Sequence, residues 1–301
     1  MSLLSSQPGF DPPAIVVVGM FDGMHLGHQM LIKALCSEAS RLNMRPVVVT
    51  FSNHPSCVVG HRSSEQWIGD LPERLAILHS LGVEDVAVLD FTPELAQLTA
   101  CEFVEHYLYP CLGMRALLLG YDTRFGNRTR DDFDKLPLLG ARLGFQMLHH
   151  DALFQGQEPI SSSRIRKALQ AGDMSEVSRL LGRDYTISGE VVHGRHIGSS
   201  LGFPTANISL VRNAKIMPAQ GVYKVILTAG GRSPLTGMAN WGPQPTFSGT
   251  QPTLEVFLPD FQGSLYGETV EVSFIRKIRD IRRFSSREEL ITQLQNDQSQ
   301  L

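Results

Sequence analysis

Residues 14 to 30, AIVVVGMFDGMHLGHQM, constrain the fold more than any other stretch of the chain. Ala14 and the β-branched run Ile15 to Val18 lead into Gly19 and Gly23. An apolar run bounded in this way suits a strand buried on both faces of a parallel sheet. Leu31, Ala34, Leu35 and Leu42 then recur at helical spacing, which predicts a helix over Leu26 to Leu42. A strand that feeds a glycine turn and a helix start presents backbone N–H groups and a helix dipole where a phosphate could sit. His25 and His28 stand at that turn, separated only by Leu26 and Gly27, and would face the same place.

Several readings of this corner compete. His-x-x-His also suits a metal, but no third ligand of matching type lies nearby. Paired histidines in a surface turn with no role are a second alternative. The string is not G-x-G-x-x-G, and no Gly-Lys pair occurs anywhere, which argues against dinucleotide-binding and Walker-type loops. With 27 Lys and Arg against 30 Asp and Glu, the formal net charge of -3 gives no case for general nucleic-acid binding, so any phosphate chemistry must be local. Four cysteines without a C-x-x-C pair fit reduced thiols and a cytoplasmic setting. No apolar run approaches the roughly 18 residues of a membrane span, and the first thirteen residues lack a secretory pattern.

The remaining pattern predicts an α/β chain of two domains. Strands are expected at Pro46 to Phe51, Val86 to Phe91, Ala116 to Asp122 and Phe145 to His150, alternating with helices at Glu73 to Leu81 and from a Thr99/Glu102 capping box to about Tyr109. That alternation indicates a Rossmann-like parallel sheet with helices on both faces, binding its ligands beyond the carboxyl ends of the strands. Ile160 to Leu169 opens a helix with three serines and places Arg164 and Arg166 near its start. Serines there act first as caps, but arginines oppose the helix dipole, which favours an anionic ligand. A helix from Ser175 to Leu181 ends at Gly182. From Tyr185 the chain changes to five short alternating runs between Gly, Pro and Ser, which predicts a small antiparallel barrel closed by a helix over Ser286 to Gln298. The boundary is placed at 184/185, giving domains 1–184 and 185–301.

Gly19-Met-Phe-Asp-Gly-Met-His-Leu-Gly-His28 resembles the H-x-G-H motif of nucleotidylyltransferases, in the variant found in bacterial bifunctional riboflavin kinase/FMN adenylyltransferases, also called FAD synthetases. VVVTFSNHP, FTPELAQLTACEFVEHYL, GYDTRFGNRTRDD and ISSSRIRKAL continue the resemblance. It implies that FMN attacks the α-phosphorus of ATP and that FAD and pyrophosphate leave. The protein's contribution would be positioning and charge stabilisation. In that picture His25, His28 and Arg166 are catalytic. Gly19, Phe21, Asp22, Gly23, Ser162 and Ser163 join them in holding ATP, while Asn53, His54, Asp122 and Arg128 face the flavin nucleotide or the adenosine. Arg130 stands where the family has a glycine, and a positive φ there would strain the flavin loop.

The second domain resembles riboflavin kinase through Gly202-Phe-Pro-Thr-Ala-Asn207, Gly221-Val-Tyr and Leu254-Glu-Val256. Outside that resemblance, Thr205 and Asn207 read as turn residues after a proline and Glu255 as a solvent-facing strand residue. The resemblance makes Gly194, Gly198, Gly202, Thr205 and Asn207 the ATP and Mg²⁺ site, with Thr205 and Asn207 as metal ligands of the hard-oxygen kind. Glu255 becomes the general base for the ribityl hydroxyl, and Arg279 a flavin contact. Ser199, Trp241, Gln244 and Ile281 depart from the family pattern. The expected enzyme phosphorylates riboflavin to FMN and adenylylates FMN to FAD, with ATP as co-substrate, no nucleic-acid or membrane partner, and homo-oligomerisation left open. A monofunctional FAD synthetase and a non-catalytic flavin-binding regulator are the alternatives. A class I aminoacyl-tRNA synthetase, which also carries H-x-G-H, is disfavoured by the short chain and the lack of a basic face.

Overall fold

Every residue of β1 (Ala14–Val18) is buried, and its two faces feed two different cores. Ala14, Val16 and Val18 pack with Val47, Val49, Leu117 and Leu119, whereas Ile15 and Val17 pack with Ile32, Leu35 and Leu78. Such double burial characterises a central parallel strand. β2 (Arg45–Phe51), β3 (Asp85–Leu89), β4 (Met114–Gly120) and β5 (Gln146–His150) complete a parallel sheet in the order β3-β2-β1-β4-β5. The order reverses between β1 and β4, and their carboxyl ends flank the switch point at which open α/β sheets bind ligands. The structure, a computed structural model, describes residues 12–54, 58, 67–194, 202–210, 215–243, 252–259 and 261–301.

The helices of this unit follow their caps. α1 (Leu26–Leu42) has the expected span and stops at Asn43, whose left-handed φ of 52° ends the helix. α2 (Leu71–Ser80) is capped by Asp70, whose carboxylate accepts from Glu73 N at 2.9 Å. A short α3 (Pro93–Gln97) precedes the Thr99/Glu102 capping box, in which Thr99 N donates to Glu102 Oε2 at 2.9 Å and Glu102 N to Thr99 Oγ1 at 3.2 Å. α4 (Ala100–Phe103) then runs through a π-helical turn (Val104–Leu108) into α5 (Tyr109–Leu112), slightly beyond the expected end, and Gly113 at φ 64° terminates it. α6 (Leu136–Leu143) covers the same face. A hairpin of β6 (Phe154–Gln155) and β7 (Glu158–Pro159), too short to leave a periodic pattern, precedes α7 (Ser162–Ala171).

The chain divides into compact units Met1–Ser162 and Ser163–Leu301. The break falls well before the expected 184/185, because α8 (Met174–Leu181) buries Met174, Val177, Leu180 and Leu181 and packs on strands of the following barrel. That barrel contains β8 (Tyr185–Val192), β9 (Thr205–Ser209), β10 (Gly221–Ala229), β11 (Leu235–Gly242), β12 (Thr253–Phe257) and β13 (Thr269–Arg279), closed in the order β10-β11-β12-β9-β8-β13. β9 was not anticipated, since Pro204, Thr205 and Asn207 disguise its alternation. Within the barrel Tyr223 lies opposite Ala239, and Ala239 opposite Val256, so large and small side chains share one interior layer.

α9 (Arg287–Gln298) lies outside the barrel, where Ile291 and Leu294 pack on Phe203, Val222, Met238 and Phe257. Asp297 is fully buried, and its carboxylate accepts from Arg279 Nη2 at 2.7 Å, Arg279 Nε at 2.9 Å and Gln293 Nε2 at 2.6 Å. Removing one member of such a pair leaves a buried charge uncompensated. Asp297→Ala is therefore expected to destabilise the barrel unit by about 3 kcal/mol. Chemical denaturation followed by circular dichroism checks this, and an unchanged midpoint would contradict the anchoring role.

Candidate functional sites

The first site grows out of the end of β1. Backbone at Phe21 (φ 50°), Gly23 (φ 75°) and Met24 (φ 42°) is left-handed, a rare cluster for a stretch containing two non-glycine residues. The turn delivers His25 to the N-cap of α1, where its Nδ1 accepts from His28 N at 3.2 Å. An Nδ1 that accepts carries no proton, so neutral His25 presents its N–H at Nε2. The two imidazoles stack, with centroids 3.6 Å apart and planes 16° from parallel, and Phe21 meets His28 edge-on at 5.3 Å. Gly27 permits this stack, because a Cβ there would lie 3.2 Å from His25 Nδ1 and 3.3 Å from Cε1. Burial, reinforced by the neighbouring His25, holds the pKa of His28 well below its ordinary value of 6.5. His28 Nδ1 is buried and has no hydrogen-bond partner among the described residues. A buried, unsatisfied polar atom of this kind calls for an explanation, and a ligand is a natural one.

The other residues expected around this turn divide by role. Gly19 lies beneath the Phe21 ring, since a Cβ on it would come within 2.9 Å of Phe21 Cζ. Asp22 is buried at the turn, but its carboxylate accepts from Ile68 N at 2.8 Å and Gly69 N at 3.3 Å, so it braces the turn. Ser162 Oγ donates to Asp22 O at 3.1 Å. Asn53 turns both ends of its carboxamide to the backbone of Phe91, at 2.9 and 2.7 Å, and is thereby a loop staple. His54 packs edge-on against Trp67 at 5.3 Å. Asp122 is exposed in the turn after β4, across the switch point from β1. The backbone of Arg128 and Arg130 forms one 3-10 turn capped by Asn127, and Arg130 pairs with Glu102 at 2.8 Å. The anticipated left-handed strain at Arg130 is absent. The glycine that this loop needs is Gly126 (φ 90°), where a Cβ would collide with Ala100 N at 2.4 Å. A cleft of about 250 Å³ next to it is lined by Arg124, Phe125, Gly126 and Asp131.

In the second unit Ser163 is exposed and Arg166 half-buried on α7. Arg164 pairs with Glu176 at 2.6 Å, so a carboxylate already balances the cation that opposes the helix dipole. The barrel site is a row of polar side chains. Asn240 on β11, Glu255 on β12 and Asn207 on β9 are consecutive register partners, which places all three on one face, with Thr205 two residues from Asn207. Burial raises the pKa of Glu255 above its ordinary value of 4.5. Gly194 lies on Asn207, because a Cβ there would come 2.0 Å from Asn207 Nδ2. Gly202 has φ 83°. Gly198, Ser199 and Gln244 lie outside the described residues. Arg279, expected to touch flavin, pairs with Asp297 of α9, the helix that borders this face. Ile281 packs near Gly242, where a Cβ would meet it at 3.2 Å, and Trp241 Nε1 donates to Pro218 O at 3.0 Å. Among the described residues no cluster of three His, Cys, Asp or Glu could hold a metal by itself.

The structure brings out two residues to which the sequence assigned no role. Asn240 is placed beside Glu255 by register alone. Arg74 is buried behind the histidine turn and bonds Met20 O, and it stands four residues before Leu78 on the buried stripe of α2.

Comparison with known proteins gives a family for each part of the chain. A family model described as FAD synthetase matches residues 8–164, and one described as riboflavin kinase matches residues 181–301. The bifunctional riboflavin kinase/FMN adenylyltransferase of Escherichia coli (strain K12) is 36% identical over 284 residues, covering 94% of this chain and 90% of that one. The protein of the same description from Bacillus subtilis (strain 168) is 34% identical over 292 residues, covering 95% and 91%. The chain belongs to this bifunctional family. A crystal structure named as a macrolide-efflux protein from Streptococcus pneumoniae superposes with a TM-score of 0.86 at 34% identity, covering 97% of this chain and 94% of that one. Among the described residues here no helix is long and apolar enough to cross a membrane.

The lowered pKa of His28 has a consequence for stability. Between pH 6.5 and its lower folded pKa, the unfolded chain binds a proton that the folded chain does not, so this group destabilises the fold as pH falls. Denaturation midpoints at pH 7.5 and 5.5 are expected to differ less for His28→Gln than for the unaltered protein.

Proposed function

We propose that the barrel unit phosphorylates riboflavin to FMN with ATP and that the parallel-sheet unit adenylylates FMN to FAD, releasing pyrophosphate. The observation that carries the adenylyl-transfer reading is the stacked pair at the switch point, with a neutral His28 whose buried Nδ1 has no hydrogen-bond partner among the described residues. An FMN phosphate oxygen attacks the α-phosphorus of ATP, the bond from that phosphorus to the bridging oxygen breaks, and pyrophosphate leaves. His25 donates its Nε2–H, and both rings gain affinity for protons as the triphosphate approaches, so they neutralise charge where it develops. Arg166 with Ser162 and Ser163 is assigned to the leaving phosphates. Gly19, Phe21 and Gly23 are assigned to the nucleotide, with Asp22 as a brace. His54, Asp122 and Arg128 remain the proposed flavin or adenosine side.

In the kinase half, the ribityl 5′-oxygen attacks the γ-phosphorus, its proton passes to Glu255, and ADP leaves. Burial makes Glu255 a stronger base than an exposed carboxylate and so supports that role. Thr205 and Asn207 offer a hydroxyl and an amide oxygen, a hard donor pair fitted to Mg²⁺ that arrives with ATP phosphates. The ion supplies neutralisation of phosphate charge. Gly194, Gly198 and Gly202 are assigned to the loop over those phosphates. We set the functional division at 184/185, with α7 and α8 on the adenylyltransferase side, and place the enzyme in the cytoplasm.

Incubation with riboflavin, ATP and Mg²⁺, followed by chromatographic separation of flavins, is expected to give FMN and then FAD. FAD from added FMN without FMN from riboflavin would reject the kinase assignment. His28→Ala should lower FAD formation at least about hundredfold while leaving FMN formation intact. Glu255→Gln should do the reverse, and equal loss of both products in either variant would count against two sites. The acid limb of the kinase rate should fall above pH 4.5, since the base must be deprotonated and its pKa is raised.

A further inference from the structure

Behind the histidine turn lies a buried cation that the chemistry above does not use. Arg74 is 1% exposed. Its Nη1 donates to Met20 O at 2.8 Å and Thr50 Oγ1 at 3.0 Å, its Nη2 donates to Phe51 O at 3.0 Å, and its guanidinium lies 4.4 Å from the Trp67 ring centroid. Thr50 Oγ1 also donates to Met20 O at 3.3 Å. One side chain therefore ties together the carboxyl ends of β1 and β2. Met20 is the residue before Phe21, where the left-handed backbone begins, and Phe21 is the ring against His28. The segment leading to Arg74 grips the same turn a second time, since Ile68 N and Gly69 N donate to Asp22, and a Cβ on Gly69 would lie 3.2 Å from Gly23 Cα. Left-handed backbone at Phe21 and Met24 persists only where surroundings over-determine it. Here those surroundings are Arg74 and residues 67–70.

We propose that Arg74 is a positioning residue for adenylyl transfer, fixing the Met20 carbonyl so that Phe21 and the turn hold the His25/His28 stack in register with the substrate phosphates. The inference rests on the adenylyl-transfer reading given above. A guanidinium suits the task because its planar fork reaches two strand ends at once, which an ammonium cannot do. A displacement of about 1 Å at a reacting group can cost about a hundredfold in rate.

The test uses the full chain with Arg74→Met and Arg74→Lys. In Arg74→Met, kcat for FMN to FAD should fall about a hundredfold, and the riboflavin to FMN rate should stay unchanged. The ring titration of His28, followed by NMR, should move up toward 6.5 as Phe21 releases it. Arg74→Lys should recover both readouts in part. Unchanged adenylylation, or a loss fully accounted for by unfolded protein with His28 titrating in its original place, overturns the inference. If Arg74→Met does not fold, the lysine variant decides by the same two readouts, and no change in either overturns it. Absence of FAD formation by the unaltered protein would instead reject the proposed activity, leaving the His28 titration to judge the positioning.

Discussion

The hydrogen bond from His28 N to His25 Nδ1 links the local fold of the first unit to its chemistry. It satisfies one of the orphan N–H groups at the start of α1, as a serine or aspartate cap would. An imidazole doing this work surrenders its Nδ1 lone pair, which settles the tautomer and turns the remaining N–H outward. The same bond holds the two rings in parallel, and their proximity together with burial keeps His28 uncharged. Helix initiation, tautomer and protonation state thus follow from one contact, and Gly27 is the residue small enough to allow it. A serine at position 25 could start the helix but would leave nothing to stack on His28.

The two units approach phosphate by different physical routes. In the parallel sheet the strand order reverses between β1 and β4, and the turn that carries the histidine pair follows β1 at that switch point. In the barrel it is the strand register that gathers polar side chains. Register aligns Asn240, Glu255 and Asn207 on the outer face, and α9, anchored by the Asp297–Arg279 pair, covers the adjoining apolar patch of Val222, Met238 and Phe257. Burial then has the same effect on charge and moves the two pKa values in opposite directions. It suppresses the charged form of His28, whose pKa falls, and it suppresses the charged form of Glu255, whose pKa rises and whose carboxylate is thereby a stronger base.

Much of the fold was legible because periodicity reports burial. The β1 run, the span of α1, the Thr99/Glu102 box and the five barrel runs that became β8, β10, β11, β12 and β13 all declare themselves by spacing. β9 did not, since a strand that carries a polar site on one face and follows a proline lacks the apolar alternation by which strands are found. The histidine corner was legible for the same reason as the fold: a local run of sequence builds it. Some residues assigned by analogy have a structural partner that the sequence does not announce. Asn53 bonds the backbone of Phe91 and Arg279 bonds Asp297, and sequence alone gives no account of partners 38 or 18 positions away. Arg130 shows the converse, since the strain expected at that position vanishes once Gly126 supplies the left-handed turn and Glu102 accepts the charge.

Arg74 illustrates why a buried cation can escape a reading that works from polarity. On a helix wheel it occupies a core position, and its charge argues for solvent. The contradiction disappears only when the strand ends are in view, because parallel strands that stop together leave carbonyls without ladder partners just where a site must be built. Those acceptors cannot be satisfied by another strand without closing the crevice. A long, planar donor rising from the next helix can reach them from behind while leaving the ligand side open. The carbonyl groups of Met20 and Phe51 are such acceptors, and their need for donors explains a buried arginine that neither packing nor propensity would select.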